Sequence, residues 1–151
     1  METDSAEIIE LLKTILKASP GIQFVLLSDP TGLVLSVVKK FLFSDQDVDY
    51  DKMAVLASAV CNAGQEQGIC TDYGSINNII LEYNQGKLLI GSIPTGIVVV
   101  GCDKHTNLGL VRSRMIRSMP ELQKILKKHE MNLNEDMEVI ADHLKGILHL
   151  D

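Results

Sequence analysis

Residues 76–117 constrain the fold more than any other part of the chain. They hold apolar runs rich in valine, isoleucine and leucine, separated by short glycine-containing turns at residues 84–86 and 94–96. Runs of this length and composition, joined by tight turns, are typical of consecutive antiparallel strands. From about Thr106 the apolar spacing changes to that of a helix. The sequence therefore predicts a three-stranded meander followed directly by a helix.

The segments before this meander predict a hairpin between two helices. An amphipathic stripe ends at Pro20, strands are predicted over residues 22–27 and 33–38, and a second helix is predicted over about 51–67. Hairpin connections make neighbouring strands antiparallel, so the sequence predicts an α+β fold with a five-stranded antiparallel sheet flanked by helices. The predicted order is α-β-β-α-β-β-β-α, plus a C-terminal helix.

A proline divides the C-terminal third of the chain. Pro120 is predicted to break or kink the helix that follows the meander, with Ser118 capping the restart. A last helix is predicted from Asn134. The sequence therefore indicates one domain over residues 1–130 and an acidic, amphipathic helical extension over residues 131–151.

Charge is distributed unevenly in the same region. Residues 103–128 carry seven basic and two acidic side chains, whereas residues 129–151 carry one basic and six acidic side chains. The overall pI of about 5.1 and the lack of aromatic residues among the basic ones argue against a nucleic-acid partner. We expect a solvated helix face, or a docking surface for an acidic partner or for the chain's own extension.

Composition indicates one folded domain in a reducing compartment. A hydrophobic fraction of 46% in 151 residues excludes a disordered chain. Cys61, Cys70 and Cys102 form no C-x-x-C pair, so reduced thiols are expected. No apolar run approaches the roughly 18 residues that span a bilayer, and the acidic N-terminus lacks the features of a signal peptide. We expect a cytoplasmic protein without membrane insertion.

Motifs for catalysis or metal binding are absent from the sequence. It contains no phosphate-binding glycine loop and no zinc-protease helix motif. The alternating aspartates of residues 45–51 have the early spacing of a calcium loop, but Tyr50 stands where the turn needs glycine and Leu56 where the ion needs glutamate. We therefore expect a protein that is not an enzyme and that binds neither a cofactor nor a metal.

The second helix is apolar around more of its circumference than one sheet face needs. An amphipathic helix buries a stripe of about 100°, whereas the apolar arc here covers about 220°, and small residues fill the excess half. Small side chains let another backbone come close, so we expect this helix to associate with its copy, alongside an apolar edge strand that needs covering. The expected contact residues are Met53, Ala54, Ala57, Val60, Cys61 and Gly64 on the helix, and Ile79 and Leu81 on the strand.

Two local motifs resemble a known family. The last strand of the meander leads into Asn107-Leu108-Gly109-Leu110-Val111-Arg112 at the start of a helix, which resembles the signature of the Roadblock/dynein light chain family. Asp29 and Gly32 fit the family's first hairpin, in which an Asp-x-x-Gly turn precedes an apolar strand. The resemblance covers about residues 6–128 and implies a Roadblock-like, profilin-like sheet. It also implies that the second helix pairs antiparallel with its copy while the third strands meet edge to edge.

The resemblance implies a function in binding rather than in chemistry. Domains of this family dimerise and hold or regulate small Ras-like GTPases, or serve as subunits of motor and scaffold complexes. We therefore expect a homodimer that binds a small Ras-like GTPase and regulates or scaffolds it, with other Roadblock-like subunits as further candidate partners. The alternatives are a structural subunit without effect on nucleotide turnover and a small-ligand sensor on a similar sheet.

The extension carries an apolar stripe that needs a docking place. An isolated helix of this length is marginally stable in water, and some bacterial members of the family, which regulate a polarity GTPase, also carry a C-terminal helix. We expect the stripe to dock within the dimer and to have a regulatory role. Its members are Met137, Ile140, Leu144 and Ile147.

Overall fold

Helices cover both faces of a five-stranded sheet. The computed structural model describes residues 2–148, and the side chains of residues 5–148. In chain order the elements are α1 (Glu2–Leu16), β1 (Ile22–Ser28), β2 (Val34–Lys39), α2 (Tyr50–Thr71), β3 (Asn78–Tyr83), β4 (Gly86–Ile93), β5 (Gly96–Asp103) and α3 (Leu108–Leu148). The strands lie in the order β2-β1-β5-β4-β3, and all neighbouring pairs are antiparallel. The predicted fold class and the predicted order of elements up to the helix after the meander are confirmed.

Alternating side chains of the strands form two apolar cores, one on each face of the sheet. On one face, Val25, Leu27 and Val100 pack with residues of α1 and α3. On the other face, Leu26 and Val99 pack with residues of α2. The central strands β1 and β5 are covered on both faces, which explains why they are continuous apolar runs in the sequence.

Small side chains on the inner side of α2 let the helix lie close to the sheet. Ala54, Ala57 and Cys61 are buried there. The turn between β1 and β2 also contacts the helix, because the Ser58 hydroxyl donates a hydrogen bond of 2.7 Å to the Pro30 carbonyl. The helix, its inner alanines and this turn therefore form one packed unit.

The bounds of α2 differ from the predicted ones. The helix begins after Asp49, whose carboxylate accepts a hydrogen bond from the Lys52 N–H at 3.0 Å. It continues through Gly68, the predicted stop, and ends before Asp72, which has the left-handed φ of 58°. A Cβ at Gly68 would collide with the Gly74 carbonyl oxygen. The glycine is therefore needed where the chain returns past the helix, rather than to end it.

Pro120 does not interrupt α3. The predicted break, and with it the separate last helix from Asn134, are wrong, because α3 runs unbroken from Leu108 to Leu148. Pro120 lies on the exposed side of the helix, while Met119 and Leu122 are buried on the opposite side. The Ser118 hydroxyl donates to the Arg114 carbonyl at 3.0 Å and caps no new helix. Core contacts on both sides of the proline hold the helix together.

The extension is the free end of α3. All side chains of residues 131–148 are exposed, so this segment docks on no other part of the chain that the structure describes. Residues 149–151 of the predicted extension lie outside the described residues. Among the helices that the structure describes, none is long and apolar enough to cross a membrane.

Candidate interaction surfaces

The predicted contact residues of α2 divide into an inward and an outward group. Ala54, Ala57 and Cys61 are buried against the chain's own sheet, so their assignment to a contact with a second chain is wrong. Gly64 also faces its own chain, since a Cβ there would lie 2.5 Å from Cδ1 of Ile76. Met53 is also partly buried against this core, whereas Val60 lies on the outward side of the helix and is half-buried.

The outward side of α2 carries an apolar row, which we call the α2 ridge. Its members are spaced like one face of a helix, at intervals of three and four residues. They are Leu56, Ala59, Val60 and Ala63. Leu56, Ala59 and Ala63 are exposed, and Val60 is half-buried. Two alanines on this row leave room for the backbone of another helix to approach.

Strand β3 lies at one end of the sheet, so within the described residues its outer edge has no neighbouring strand. Ile79 and Leu81 lie on the sheet face that α2 covers and are half-buried. Ile80 points to the opposite face and is exposed. The β3 edge is therefore an apolar strand edge beside the predicted contact helix.

The loop over residues 40–49, which joins β2 to α2, presents two large apolar side chains to solvent. Phe41 is 99% exposed and Leu42 is 92% exposed. The next residue, Phe43, is anchored by stacking on Phe24, with the ring centres 5.9 Å apart. An anchored loop with two exposed apolar side chains has the character of a contact site. The sequence does not predict this contact site, because two adjacent apolar residues in a loop have no periodicity.

Asp45 ties the second half of the same loop to the strand and the helix on either side of it. Its carboxylate accepts hydrogen bonds from Lys39 Nζ at 2.8 Å and from the Tyr50 hydroxyl at 3.2 Å. The hydrogen bond from Lys39 holds the pKa of Asp45 below its usual value. Burial and the nearby carboxylate raise the pKa of Tyr50 to about 12. Among the described residues, no cluster of three or more His, Cys, Asp or Glu side chains could hold a metal ion.

The family-motif residues have local structural roles. Asp29 Oδ1 accepts hydrogen bonds from the N–H groups of Thr31 and Leu33, both at 2.9 Å, and so shapes the β1–β2 turn. Asn107 Oδ1 accepts a hydrogen bond from the Gly109 N–H at 3.0 Å, which is the geometry of an N-cap for α3. Asn107 is therefore the N-cap of α3.

The two buried cysteines, Cys61 and Cys102, offer little reactivity. Burial raises the pKa of the Cys61 thiol, and it raises the pKa of the Cys102 thiol to about 11. Both thiols are therefore protonated at neutral pH, when a nucleophilic cysteine would need to be a thiolate. Cys70 is exposed near the end of α2.

Comparison with known proteins gives relatives in sequence and in fold. No protein-family model matches the sequence. The uncharacterized proteins MJ0310 and MJ1340 of Methanocaldococcus jannaschii are each 30% identical to the chain over 76 residues, which is 50% of this chain and 67% of each relative.

Solved structures share the fold at lower identity. The gliding protein MglB of Thermus thermophilus has a TM-score of 0.74 and 19% identity over 83% of this chain and 92% of that chain. A structure of MglB with a tetrameric arrangement has a TM-score of 0.75 and 19% identity, over 83% and 91%. A Roadblock/LC7 domain of Streptomyces avermitilis has a TM-score of 0.68 and 22% identity, over 78% and 96%. At these identities the similarity establishes the fold.

Proposed function

The chain belongs to the same family as the two archaeal proteins and has the Roadblock/LC7 fold, and we propose that it is a homodimer that binds and regulates a small Ras-like GTPase. The observation that carries the proposal is the position of the α2 ridge beside the free β3 edge. Both surfaces are apolar, and both are open in the single chain.

Pairing through α2 and β3 would cover the two open surfaces together. Two β3 strands that meet antiparallel continue the sheet across a two-fold axis, and this satisfies edge N–H and C=O groups that otherwise invite aggregation. The same axis brings the α2 ridge of one chain against that of the other. Leu56 and Val60 then supply apolar area, while Ala59 and Ala63 allow close approach.

Arginine substitution on the α2 ridge tests the homodimer. Ala59→Arg places a charge at the centre of the ridge, so the mass measured by light scattering should fall at least two-fold from that of the wild type. Asn62→Arg is the matched control, because Asn62 is exposed on the same helix but lies off the ridge. Ala57 and Gly64 are unsuitable sites because both face the chain's own fold. If neither variant changes the mass, the α2 contact is rejected.

The GTPase is assigned as partner from the fold that the chain shares with the gliding protein MglB and with a Roadblock/LC7 domain. The family resemblance of residues 6–128 implies such a partner, and no catalytic group of this chain is needed for it. We assign part of the contact to Phe41 and Leu42, because exposed apolar side chains on an anchored loop can be buried without reorganising the chain.

Nucleotide assays test the GTPase assignment. GTP hydrolysis and nucleotide release by candidate small GTPases of the same organism are measured with and without the protein. A change in either rate supports a regulator, and binding without a change supports the alternative of a scaffold subunit. Phe41→Ser combined with Leu42→Ser should weaken binding, whereas Leu110→Ser, an exposed leucine on α3, should not. If no candidate GTPase binds, the assignment of a GTPase partner is rejected, and the proposed homodimer is unaffected by that result.

A further inference from the structure

The free end of α3 carries an apolar stripe on the same side as the buried half of the helix. The helix leaves the domain beyond the β4–β5 turn, where Gln123 Oε1 accepts hydrogen bonds from the backbone N–H and hydroxyl of Thr95. Past that point the apolar side chains recur at alternating intervals of four and three residues. They are Leu133, Met137, Ile140, Leu144 and Ile147, all exposed.

This spacing is the seam of a two-stranded coiled coil. Alternating intervals of three and four keep one apolar row facing a partner helix along its length. A single helix with such a row is marginal in water, since its stability comes mainly from packing of the apolar face. We propose that the stripe pairs antiparallel with the same stripe of a second copy of the chain.

Complementary side chains beside the stripe favour a second copy as the occupant. Asp136 and His143 lie one heptad apart and therefore flank the stripe on the same side. In an antiparallel pair, flanking positions of the same kind face each other, so Asp136 of each chain lies opposite His143 of the other. The same register stacks Leu133 on Leu144 and Met137 on Ile140.

A parallel pair lacks this complementarity. There, Asp136 would face Ala141 and His143 would face Leu148, whose aliphatic side chains form no hydrogen bond. The remaining charges of the segment, including Glu138 and Asp142, lie away from the stripe. The antiparallel pair therefore gains two acid–imidazole contacts that the parallel pair does not.

The stripe pair is separate from the proposed α2 dimer. α2 lies on one face of the sheet, and α3 packs on the other. A two-fold axis perpendicular to the sheet puts the two β4–β5 turns of an α2 dimer at opposite ends of the joined sheet. The free ends of α3, which leave the domains beyond these turns, then extend away from each other and do not pair within that dimer. The size of the assembly thus rests on the proposed function: stripe pairs would join different dimers into tetramers or longer chains.

Two lysine substitutions one residue apart test the stripe. Ile140, in the stripe, is 59% exposed, and Val139, beside it but off the stripe, is 69% exposed. Both are β-branched aliphatic residues of the same helix. By light scattering, Ile140→Lys should lower the mass at least two-fold and Val139→Lys should leave it unchanged. Equal masses for wild type and both variants would overturn the proposal.

Combination with Ala59→Arg separates the two interfaces. If both exist, the wild type is larger than a dimer, each single variant is a dimer and the double variant is a monomer. If only the stripe pairs, Ile140→Lys alone gives monomers. The α2 contact is then rejected, while the stripe pair is supported. If Ile140→Lys keeps the wild-type mass but loses GTPase binding, the stripe belongs to the GTPase and self-pairing is rejected.

Cross-linking tests the orientation. With Cys70 replaced by serine, an equimolar mixture of Asp136→Cys and His143→Cys chains should form mixed disulfide dimers, and neither variant alone should. Disulfides formed instead between Asp136→Cys and Ala141→Cys chains would show a parallel pair and overturn the antiparallel arrangement.

Discussion

Gly32 and Gly64 both lie against other parts of the chain, but their surroundings differ in kind. Gly32 has a φ of 97°, and a Cβ there would lie 2.7 Å from Cα of Val55 and 3.0 Å from the Ala54 carbonyl oxygen. Both are backbone atoms of α2. A Cβ at Gly64 would meet the end of a flexible side chain, Cδ1 of Ile76. The first neighbour cannot move without shifting a helix, whereas the second can rotate.

Alanine substitution should therefore separate the two glycines. We expect Gly32→Ala to lower the free energy of unfolding by about 2 kcal/mol or more, from left-handed strain and the clash together. Gly64→Ala should stay within about 1 kcal/mol of wild type, because alanine's better helix propensity offsets the movement of Ile76. Urea denaturation measures both. Equal losses would mean that the β1–β2 turn is not pressed against α2.

The carboxylates of Asp29 and Asp103 should make the free energy of unfolding depend on pH. Burial raises the pKa of Asp29, but hydrogen bonds from Thr31, Leu33 and Gly32 outweigh it and hold the pKa below the usual value. The hydrogen bond from the Thr106 hydroxyl is the main cause of the lowered pKa of Asp103.

A lowered folded-state pKa stabilises the fold above the unfolded value of about 3.9 and loses that contribution as the pH falls through the folded pKa. We therefore expect the free energy of unfolding to decline as the pH is lowered from about 5. Asp29→Asn should reduce the slope of that decline, as followed by thermal denaturation at a series of pH values. An unchanged slope in the variant would exclude Asp29 as a contributor.

Within α3, Pro120 is a local defect that the surrounding helix tolerates. Proline has no N–H, so the Ile116 carbonyl loses its usual partner four residues on. Ile116 and Pro120 are both exposed, and water is therefore available to that carbonyl.

Replacing the proline should stabilise the protein. We expect Pro120→Ala to raise the free energy of unfolding by up to about 3 kcal/mol, the difference in helix propensity between the two residues. Thermal denaturation would record this as a higher Tm. Destabilisation instead would show that the proline shapes a bend that the core needs.

Periodicity predicted the elements and their order, but not which way each one faces. The strands and amphipathic helices are recognisable because every turn or pleat repeats the same apolar signal. The wide apolar arc of α2 gives no indication of which half packs on the sheet, so Ala54, Ala57 and Cys61 were assigned to the wrong side. The predicted break at Pro120 does not occur, because a local rule for proline takes no account of core packing on both sides of it.

At the scale of the whole molecule, the domain and the extension should be separable. Since all side chains of residues 131–148 are exposed, deletion of residues 131–151 removes no core contact that the described residues make. We expect the free energy of unfolding of the truncated chain to lie within about 0.5 kcal/mol of that of the domain in the full chain, because surface changes usually have effects of this size. Circular dichroism melts under conditions where both proteins have the same oligomeric state measure this. Unfolding of the truncated chain would place the extension in the core.

The unbroken path of α3 from core to solvent fixes the rotational phase of its free end. Met115, Met119 and Leu122 lock the first half of the helix in the domain, and each added residue turns everything beyond it by about 100°. One alanine inserted after His129 would swing the stripe to another side of the molecule, whereas seven would restore its direction about 10 Å further out. The number of residues between core and stripe therefore determines the direction in which any bound partner is held.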